Sequence, residues 1–411
     1  MSSLQIGVNI RLMCHSYSEH KNGYKHSKQI SMIVDKDDPM TPRLRIVADE
    51  NIPSLQAYLA DCADVKWMPG RQIQSSDLVD CDVLLVRSVT TVDADLLAGT
   101  PVKFVGSCTI GLDHLDLTYI ADAGIGYAHA PGCNADAVVD YVLAAMFAFQ
   151  PDLSVWADKS IGVVGLGNVG SALQSRLAAL GIKTLAYDPF KDAATNTFEE
   201  VMSADVVTLH VPLTTDGTHP TLKMIGPQQI ESLRDGVLLI NTCRGKVIDN
   251  AALAPHLNRL YAVLDVYDEE PQPADELLDQ LFIATSHIAG YSMQGKLRGT
   301  EMVVRALSEY FDLGLTLPDL LGDYRRDIVI DDDDVSELVR RGYDIKQDSA
   351  TFTASYQAVS SLEKADFFDR YRREYPLRVD FSYQSVAGAA LWPNDEPSKL
   401  GFNVSQTNAS D

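Results

Sequence analysis

The chain has 411 residues, which is too long for one small core and predicts two or three domains. Hydrophobic residues make up 46% of it and charged residues 22%, as in ordinary globular proteins, and no apolar run approaches the roughly 18 residues of a membrane span. The net charge of −23 argues against a nucleic-acid-binding protein, although it leaves room for a local basic pocket that binds a small anion.

The six cysteines show no C-x-x-C spacing and lie in apolar or loop contexts. They are Cys14, Cys62, Cys81, Cys108, Cys133 and Cys243. Reduced thiols in a cytoplasmic protein fit this distribution better than a disulfide framework or a zinc site does. We therefore predict a cytoplasmic location, no bound metal and no membrane association.

Residues 1–42 are polar, carry three histidines and have no sustained periodicity. They contain no positively charged segment followed by an apolar one, so they do not resemble a secretory signal. One interpretation is a disordered N-terminal extension. The other is that Met40, which stands just before the first patterned segment, is the natural start and that the preceding residues are upstream translation.

From Arg43 onward, short β-branched apolar runs alternate with amphipathic stretches, a pattern typical of parallel βαβ architecture. The runs in the first part of the chain are RIVAD, VKWMP, VLLVRS and VKFVGS, at residues 45–49, 65–69, 83–88 and 102–107. Those in the second part are IGVVGLG, KTLAYD, VVTLHV, GVLLINT, YAVLDV and LFIATS, at residues 161–167, 183–188, 206–211, 236–242, 261–266 and 281–286. Each group predicts one α/β lobe.

The segment VRSVT places Arg87, Ser88 and Thr90 at the end of a predicted strand in the first lobe. Side chains at such an end can form a cradle for a phosphate or for hydroxyl groups. The alternative is that Arg87 is a structural partner for a nearby carboxylate such as Asp113.

Two long helical stretches connect the lobes. The first, NADAVVDYVLAAMFAF at residues 134–149, follows a Pro-Gly turn, and Asn134 is its predicted N-cap. The second, GKLRGTEMVVRALSEYFDLG at residues 295–314, leads out of the second lobe. We expect a cleft between the two lobes.

The run IGVVGLGNVG contains Gly165, Gly167 and Gly170 in the spacing G-x-G-x-x-G, between an apolar strand and a helix-forming stretch. Such glycines allow a tight turn and let a pyrophosphate approach the helix N-terminus. The next predicted strand ends in Asp188, eighteen residues beyond the last glycine. A carboxylate there binds both ribose hydroxyls and repels a 2′-phosphate, so the predicted cofactor is NAD. Asn168 and Val169, between the last two glycines, belong to the same predicted site.

The segment ATSHIAGY places His287 directly after an apolar run. A single histidine at a strand end is usually structural. Here, however, Arg244 follows another predicted strand and Glu270 lies in the loop beyond a third. Together they suit the oxidation of a 2-hydroxy acid: an arginine fork binds the carboxylate, the imidazole takes the hydroxyl proton, and a glutamate orients the imidazole.

After about residue 317 the pattern changes to a small α+β module. The aspartate run at 331–334 indicates a solvated turn, with a cation site as the alternative. ATFTASY at 350–356 and RVDFSY at 378–383 alternate apolar and polar residues, as half-buried strands do. A second copy of the chain would cover their remaining apolar positions, so a homodimer is expected. The alternative is a module folded back on its own NAD lobe.

The phrases FVGSCTIGLDH, GVVGLGNVG, LINTCRG, VLDVYDEEP and TSHIAGYS resemble the D-2-hydroxyacid dehydrogenase superfamily. Within it, the chain is similar to the branch that oxidises a small phosphorylated sugar acid in vitamin B6 biosynthesis. The resemblance is strong over residues 43–316 and weak beyond them. It implies catalytic roles for Arg244, Glu270 and His287.

The same resemblance implies the remaining site residues. Those expected to contact the substrate are Ser88, Thr109 and Tyr291, beside Arg87. Those expected to contact NAD, besides the glycine loop, are Asp188, Val211, Thr242, Cys243, Asp265 and Gly290. Val211 stands where a hydroxyl residue is common, so any contact there is expected from its backbone.

The resulting fold class is α/β, with two Rossmann-like lobes on either side of a cleft and a small C-terminal α+β dimerisation module. The predicted segments are the extension 1–42, the substrate-binding lobe 43–133 and 289–316, the NAD-binding domain 134–288, the dimerisation domain 320–405 and a tail 406–411. Two other functions stay open. One is another D-2-hydroxyacid dehydrogenase, acting on glycerate or phosphoglycerate; the other is an NAD-sensing regulator on the same fold.

Overall fold

The computed structural model describes residues 43–330, 333–387, 392 and 394–404. The interpretations offered for residues 1–42, for Met40 and for the tail lie outside these residues. So does the first half of the aspartate run. Each of the ten apolar runs identified above contains a strand.

The first lobe is built on a sheet of five parallel strands in the order β2-β1-β3-β4-β5. The strands are β1 (Leu44–Asp49), β2 (Ala63–Met68), β3 (Val83–Val86), β4 (Phe104–Ser107) and β5 (Gly126–His129). The short helices that connect them are α1 (Leu55–Leu59), α2 (Ala94–Leu97) and α3 (Leu117–Asp122). Strand β5 was not predicted, because this partly exposed edge strand, GYAH, lacks the apolar run that marks the others.

The second lobe contains six parallel strands in the order β11-β10-β9-β8-β6-β7. The strands are β6 (Ser160–Val164), β7 (Lys183–Tyr187), β8 (Val206–Leu209), β9 (Leu238–Asn241), β10 (Tyr261–Leu264) and β11 (Ile283–Ala284). The helices are α5 (Asn168–Ala179), α6 (Phe198–Met202), α7 (Pro227–Ser232), α8 (Asn250–Leu253) and α9 (Asp275–Leu278). β6 has β7 on one side and β8 on the other, so the chain reverses direction across the sheet there, and a ligand crevice is expected beyond its carboxyl end.

Two long helices, α4 (Ala135–Phe149) and α10 (Met293–Tyr310), connect the lobes. α4 packs into the core of the second sheet, whereas α10 packs Val303, Val304 and Leu307 against the first. Asn134 precedes α4 as predicted, but the expected capping bond is absent because its side chain packs beside Gly290 instead.

The C-terminal module has three short parallel strands and four helices among the described residues. The strands are β12 (Arg326–Ile328), β13 (Gln384–Val386) and β14 (Asn403–Val404). The helices are α11 (Val335–Gly342), α12 (Ile345–Gln357), α13 (Lys364–Glu374) and α14 (Glu396–Leu400). No helix in the described part of the chain is both long and apolar enough to cross a membrane.

The two strands predicted in this module were wrong. ATFTASY lies within α12, where Phe352 and Tyr356 are one helical turn apart and both fully buried. A seven-residue alternation is too short to separate a strand from a helix that begins at a good cap, and Asp344 provides that cap by accepting from the amide of Gln347. RVDFSY forms an irregular segment and a 3-10 turn, and the strand begins only after it.

The module packs against the second lobe of its own chain. Phe352, Tyr356 and Phe368 share a core with Leu264 and Ala284 of the second sheet. Burying one such side chain stabilises the fold by about 1.5–3 kcal/mol. These contacts agree with the alternative interpretation, in which the module folds against its own lobe. A homodimer would therefore need another surface of the module.

Candidate active site

The glycine loop joins β6 to α5 in a turn too tight for side chains. Gly165 has φ +93°, and a Cβ at Gly170 would lie 1.9 Å from the carbonyl oxygen of Gly165. A Cβ at Gly167, by contrast, would meet no atom within 4 Å. The loop is therefore closed against the protein and open in front of the helix, where a pyrophosphate binds in this architecture.

Asp188 lies beside this loop, directly after β7. Its carboxylate accepts hydrogen bonds from the amides of Leu166, at 2.8 Å, and Phe190, at 3.0 Å. The first of these bonds ties the acid to the glycine loop. Its position suits the predicted contact with the cofactor ribose.

The other residues predicted to contact NAD line the carboxyl edge of the same sheet. Thr242 follows β9, and its hydroxyl is buried without a hydrogen-bond partner, so it is available to a bound group. Cys243 donates to the side-chain oxygen of Asn241 at 3.1 Å, and burial raises the pKa of its thiol. Val211 packs next to Gly165. With an open glycine loop and an unpartnered hydroxyl, these residues fit a dinucleotide.

His287 and Glu270 form a hydrogen-bonded pair. The Nδ1 of His287 lies 2.8 Å from Oε2 of Glu270, while the amide of Tyr267 donates to Oε1 at 2.9 Å. Burial alone would raise the pKa of Glu270, but His287, Arg372 and the amide of Tyr267 together outweigh it, and the net pKa shift is downward. An ionised Glu270 keeps the proton of the imidazole on Nδ1, so that Nε2 is free to accept one.

The backbone around His287 is strained and firmly held. His287 has φ +60°, a left-handed conformation that is uncommon outside glycine. Asp265 accepts from the next two amides, those of Ile288 at 2.7 Å and Ala289 at 2.8 Å. Arg378 donates to the carbonyl of Ile288 at 2.9 Å and also to that of Ala289. The segment after the histidine is thus bound through both its donors and its acceptors.

Asp265 was predicted to contact NAD, and the structure gives it a second role. It is 1% exposed, and both carboxylate oxygens accept from the protein itself, including the hydroxyl of Thr285 at 2.6 Å. Gly290, also predicted as a cofactor residue, lies against the side chain of Asn134, where a Cβ would come within 2.0 Å of the amide nitrogen. Both residues shape the loop that carries His287.

Arg244 lies between the two lobes. Its Nη2 donates to Oδ2 of Asp113 in the first lobe at 2.9 Å, and its Nη1 donates to the carbonyl of Cys243 at 2.8 Å. Both members of the ion pair are partly exposed, with 36% of the Arg244 side chain and 58% of the Asp113 side chain accessible. Burial alone would raise the pKa of Asp113, but the hydrogen bond and charge of Arg244 have the larger effect, so the net pKa shift is downward.

The residues predicted in the first lobe have different surroundings. Arg87 does have a structural carboxylate partner, but it is the buried Asp49, at 3.1 Å, and not Asp113. Thr90 is 3% exposed and donates to the carbonyl of Gly70 at 2.9 Å, so its predicted place in a phosphate cradle was wrong. Ser88 is exposed.

Thr109 begins the loop that reaches Arg244. Its hydroxyl lies 2.9 Å from that of Ser107, which in turn lies 2.9 Å from Nε2 of His114. Burial lowers the pKa of His114 to about 4, so the imidazole at the end of these hydrogen bonds is neutral at pH 7. A Cβ at Gly111 would come within 2.4 Å of Arg244 Nη2, which shows how closely the loop approaches the guanidinium.

Sequence reasoning missed two basic residues beside Tyr291. Arg372 of α13 donates from Nη2 to the Tyr291 hydroxyl at 3.2 Å, and the Lys296 amine lies 4.4 Å from the centre of the same ring. Lys296 is one turn along the helix that follows His287, but α13 is remote in sequence, and only the fold brings it here. In the described part of the chain, no group of three or more His, Cys, Asp or Glu side chains is arranged to hold a metal ion.

Comparison with protein families matches residues 148–289 to the NAD binding domain of D-isomer specific 2-hydroxyacid dehydrogenases. Among curated proteins, the erythronate-4-phosphate dehydrogenase of Hahella chejuensis is 42% identical over 382 residues, which cover 88% of this chain and 100% of that protein. The enzyme of the same name from Pseudomonas aeruginosa is 43% identical over 365 residues, covering 84% and 95%.

Among solved structures, the TT0316 protein from Thermus thermophilus superposes with a TM-score of 0.59 at 24% identity, covering 67% of this chain and 99% of that one. D-lactate dehydrogenase from Aquifex aeolicus, complexed with NAD and lactic acid, gives a TM-score of 0.55 at 23% identity, covering 67% and 99%. At these identities the similarity establishes the fold.

Proposed function

This chain belongs to the erythronate-4-phosphate dehydrogenases of the D-2-hydroxyacid dehydrogenase superfamily, and on that premise we propose that it oxidises 4-phospho-D-erythronate to 2-oxo-3-hydroxy-4-phosphobutanoate. It is an NAD-dependent 2-hydroxyacid dehydrogenase, and the reaction belongs to the biosynthesis of pyridoxal 5′-phosphate. The observation that carries the proposal is the His287–Glu270 pair, which lies with Arg244 at the carboxyl edge of a sheet that also presents an open glycine loop.

Arg244 is the proposed clamp for the substrate carboxylate. Its planar fork binds two carboxylate oxygens at once, which a lysine does not do. Asp113 occupies part of that fork, so the substrate carboxylate would replace one acidic partner by another. Two-point binding fixes the C2 atom and the direction of its hydrogen.

His287 is the proposed general base. Its Nε2 accepts the proton of the C2 hydroxyl while Glu270 stabilises the imidazolium that forms. The glycine loop and Asp188 would hold NAD, which would accept the hydride from C2. Two electrons and one proton leave C2 as hydride, the hydroxyl proton moves to His287, and the C2–O bond becomes a carbonyl.

A substrate panel followed by NADH absorbance tests this assignment. We expect kcat/KM to be highest with 4-phospho-D-erythronate and much lower with 3-phosphoglycerate, glycerate and D-lactate. An equal or inverted preference for 3-phosphoglycerate would assign the chain to a different dehydrogenase. Tight NAD binding without NADH formation on any 2-hydroxy acid would instead favour the NAD-sensing regulator.

We further propose a cytoplasmic homodimer that forms through the C-terminal module. Val329 and Leu362 are 62% and 93% exposed there, although both are large apolar side chains. Light scattering is expected to give about twice the 45.0 kDa of one chain. The double change Val329→Asp and Leu362→Asp should weaken the dimer, whereas Val79→Asp, at an equally exposed apolar residue in the first lobe, should not. A monomeric parent protein would contradict the proposal.

A further inference from the structure

Two cations contact Tyr291, and a third lies near one of them. The Nη2 of Arg372 donates to the phenol oxygen at 3.2 Å, and the carbon of its guanidinium lies 5.6 Å from the ring centre. The Lys296 amine lies 4.4 Å from the same centre. Arg87 is near enough that, after burial, its charge and that of Arg372 help to lower the pKa of Lys296 to about 8. Together, Arg87, Lys296 and Arg372 are called the cationic cluster below.

The cluster has too few carboxylates of its own. Lys296 has no ion pair or hydrogen-bond partner for its amine among the described residues. Arg372 has its closest carboxylate, Asp369, at 4.0 Å, and that acid also binds Arg71 at 2.7 Å. Its Nε is buried without a partner. Glu270 and Asp265 also act on Arg372, but the first is bonded to His287 and the second to the amides of the loop that follows it.

The positive charge of Arg87 is better balanced by a nearby carboxylate than the charges of Lys296 and Arg372, but it is only partly balanced. Its Nε donates to Asp49 at 3.1 Å, and no bond to a described residue involves its two terminal nitrogens. Only 18% of this side chain and 16% of the Arg372 side chain are exposed, so water compensates little of their charge. Grouping three partly buried cations is unfavourable unless an anion joins them. In a chain of net charge −23 the grouping is also unexpected by chance.

We propose that the cationic cluster binds the phosphate group of the substrate, with Arg372 contributed by the C-terminal module. The inference rests on the proposed function, because it names the part of that site which recognises the far end of the substrate. Arg244 binds the carboxylate, His287 faces C2, and the cluster takes the dianionic end. Two guanidinium groups and one ammonium group are the donors that phosphate prefers in proteins.

Helix α13 connects the first lobe with the cationic cluster. Arg71 of the first lobe pairs with Asp369 on this helix, and Arg372 lies one turn further along it. The helix therefore spans from the rim of the first lobe to Tyr291. A phosphate bound there contacts the first lobe through Arg87, the helix after the catalytic histidine through Lys296, and the C-terminal module through Arg372.

Direct binding of inorganic phosphate tests the cluster without turnover. Calorimetric titration of the NAD-bound protein with phosphate is expected to show binding in the parent, and binding at least tenfold weaker in Lys296→Met. Lys346→Met is the matched control, since Lys346 also lies over an aromatic ring, that of Phe282, but away from the cleft. Equal phosphate affinity in Lys296→Met and the parent, or no binding by the parent, would overturn the proposal.

Kinetics separate this inference from the proposed function. Lys296→Met and Arg372→Lys should raise KM for 4-phospho-D-erythronate at least tenfold and lower kcat/KM much more for this substrate than for unphosphorylated D-erythronate, so that the preference for the phosphorylated substrate falls. An equal loss on both substrates would make the cluster structural and overturn the inference. Phosphate binding that depends on Lys296, in a parent that does not oxidise 4-phospho-D-erythronate, would support the anion site and refute the proposed substrate.

Discussion

Arg378 donates a hydrogen bond to the carbonyl oxygen of Ile288 at 2.9 Å, so the C-terminal module holds the residue that directly follows His287. The same guanidinium reaches the carbonyl of Ala137 at 2.9 Å, at the start of the helix that enters the second lobe. A left-handed backbone at His287 persists only where its surroundings impose it. Arg378 is therefore a positioning residue for the proposed base, although it is remote from His287 in sequence.

Replacing Arg378 by leucine should lower kcat at least tenfold and reduce the melting temperature. The change leaves several buried carbonyls without a donor, at roughly 1–3 kcal/mol each. Arg341→Met is the control, because Arg341 also donates to a backbone carbonyl in this module, that of Val329 at 2.7 Å, but is exposed. Thermal unfolding and steady-state rates measure both effects, and parent-like turnover in Arg378→Leu would remove its positioning role.

His287→Gln should lower the rate of oxidation by about a hundredfold or more, as expected when a general base is removed. NAD affinity should barely change, because the glycine loop and Asp188 are intact in this variant. Pre-steady-state NADH formation and quenching of the protein fluorescence by NAD measure the two quantities. Turnover near that of the parent would return His287 to a structural role.

Arg244 and Asp113 should respond in opposite directions. Arg244→Lys is expected to raise KM and lower kcat, because an ammonium group does not make the planar two-point contact. Asp113→Asn is expected to lower KM, since it removes the carboxylate that competes with the substrate for the guanidinium. Steady-state kinetics with 4-phospho-D-erythronate decide both. An unchanged Arg244→Lys enzyme would place the carboxylate clamp elsewhere.

Asp188→Ala should relax the preference for NAD over NADP. A carboxylate at this position would repel a 2′-phosphate. It also accepts a hydrogen bond from the amide of Leu166. We expect KM for NAD to rise and the ratio of kcat/KM values for NAD and NADP to fall at least tenfold. Parallel assays with the two cofactors give this ratio, and an undiminished ratio would mean that another group selects the cofactor.

Burial, and then the charges of Arg87 and Arg372, lower the pKa of the Lys296 amine to about 8. The affinity for the phosphorylated substrate should therefore fall as the pH rises through this value. Below this pH the amine is charged and attracts the phosphate; above it the charge is lost, so KM rises. The charged and titratable groups around the amine are the guanidinium groups of Arg87 and Arg372 and the phenol of Tyr291. Lys296→Arg keeps its charge, so its KM for the phosphorylated substrate should change little between pH 7 and 9. With D-erythronate, neither protein should show the rise in KM over this range.

Much of this protein followed from local patterns. Ten of the eleven strands in the two sheets were predictable, because parallel strands buried on both faces are short, continuous apolar runs. The partly exposed edge strand β5 lacks such a run and was not predicted. The glycine spacing and Asp188 predicted the cofactor site, because backbone approach and ribose binding each require a residue type at a fixed distance along the chain. Arg244, Glu270 and His287 were identifiable because each follows a strand, and the carboxyl ends of parallel strands meet at one edge.

Tertiary structure decided what depends on contacts between distant segments. ATFTASY became a helix because its two aromatic residues pack against the second lobe, a partner that no seven-residue window contains. Arg87 proved to face Asp49, while Asp113 faces Arg244, because ion pairing follows distance in space and not order in sequence. The places of Arg372 and Arg378 beside the site were equally beyond local patterns, since only the return of the C-terminal module across the cleft brings their charges to Tyr291 and Ile288.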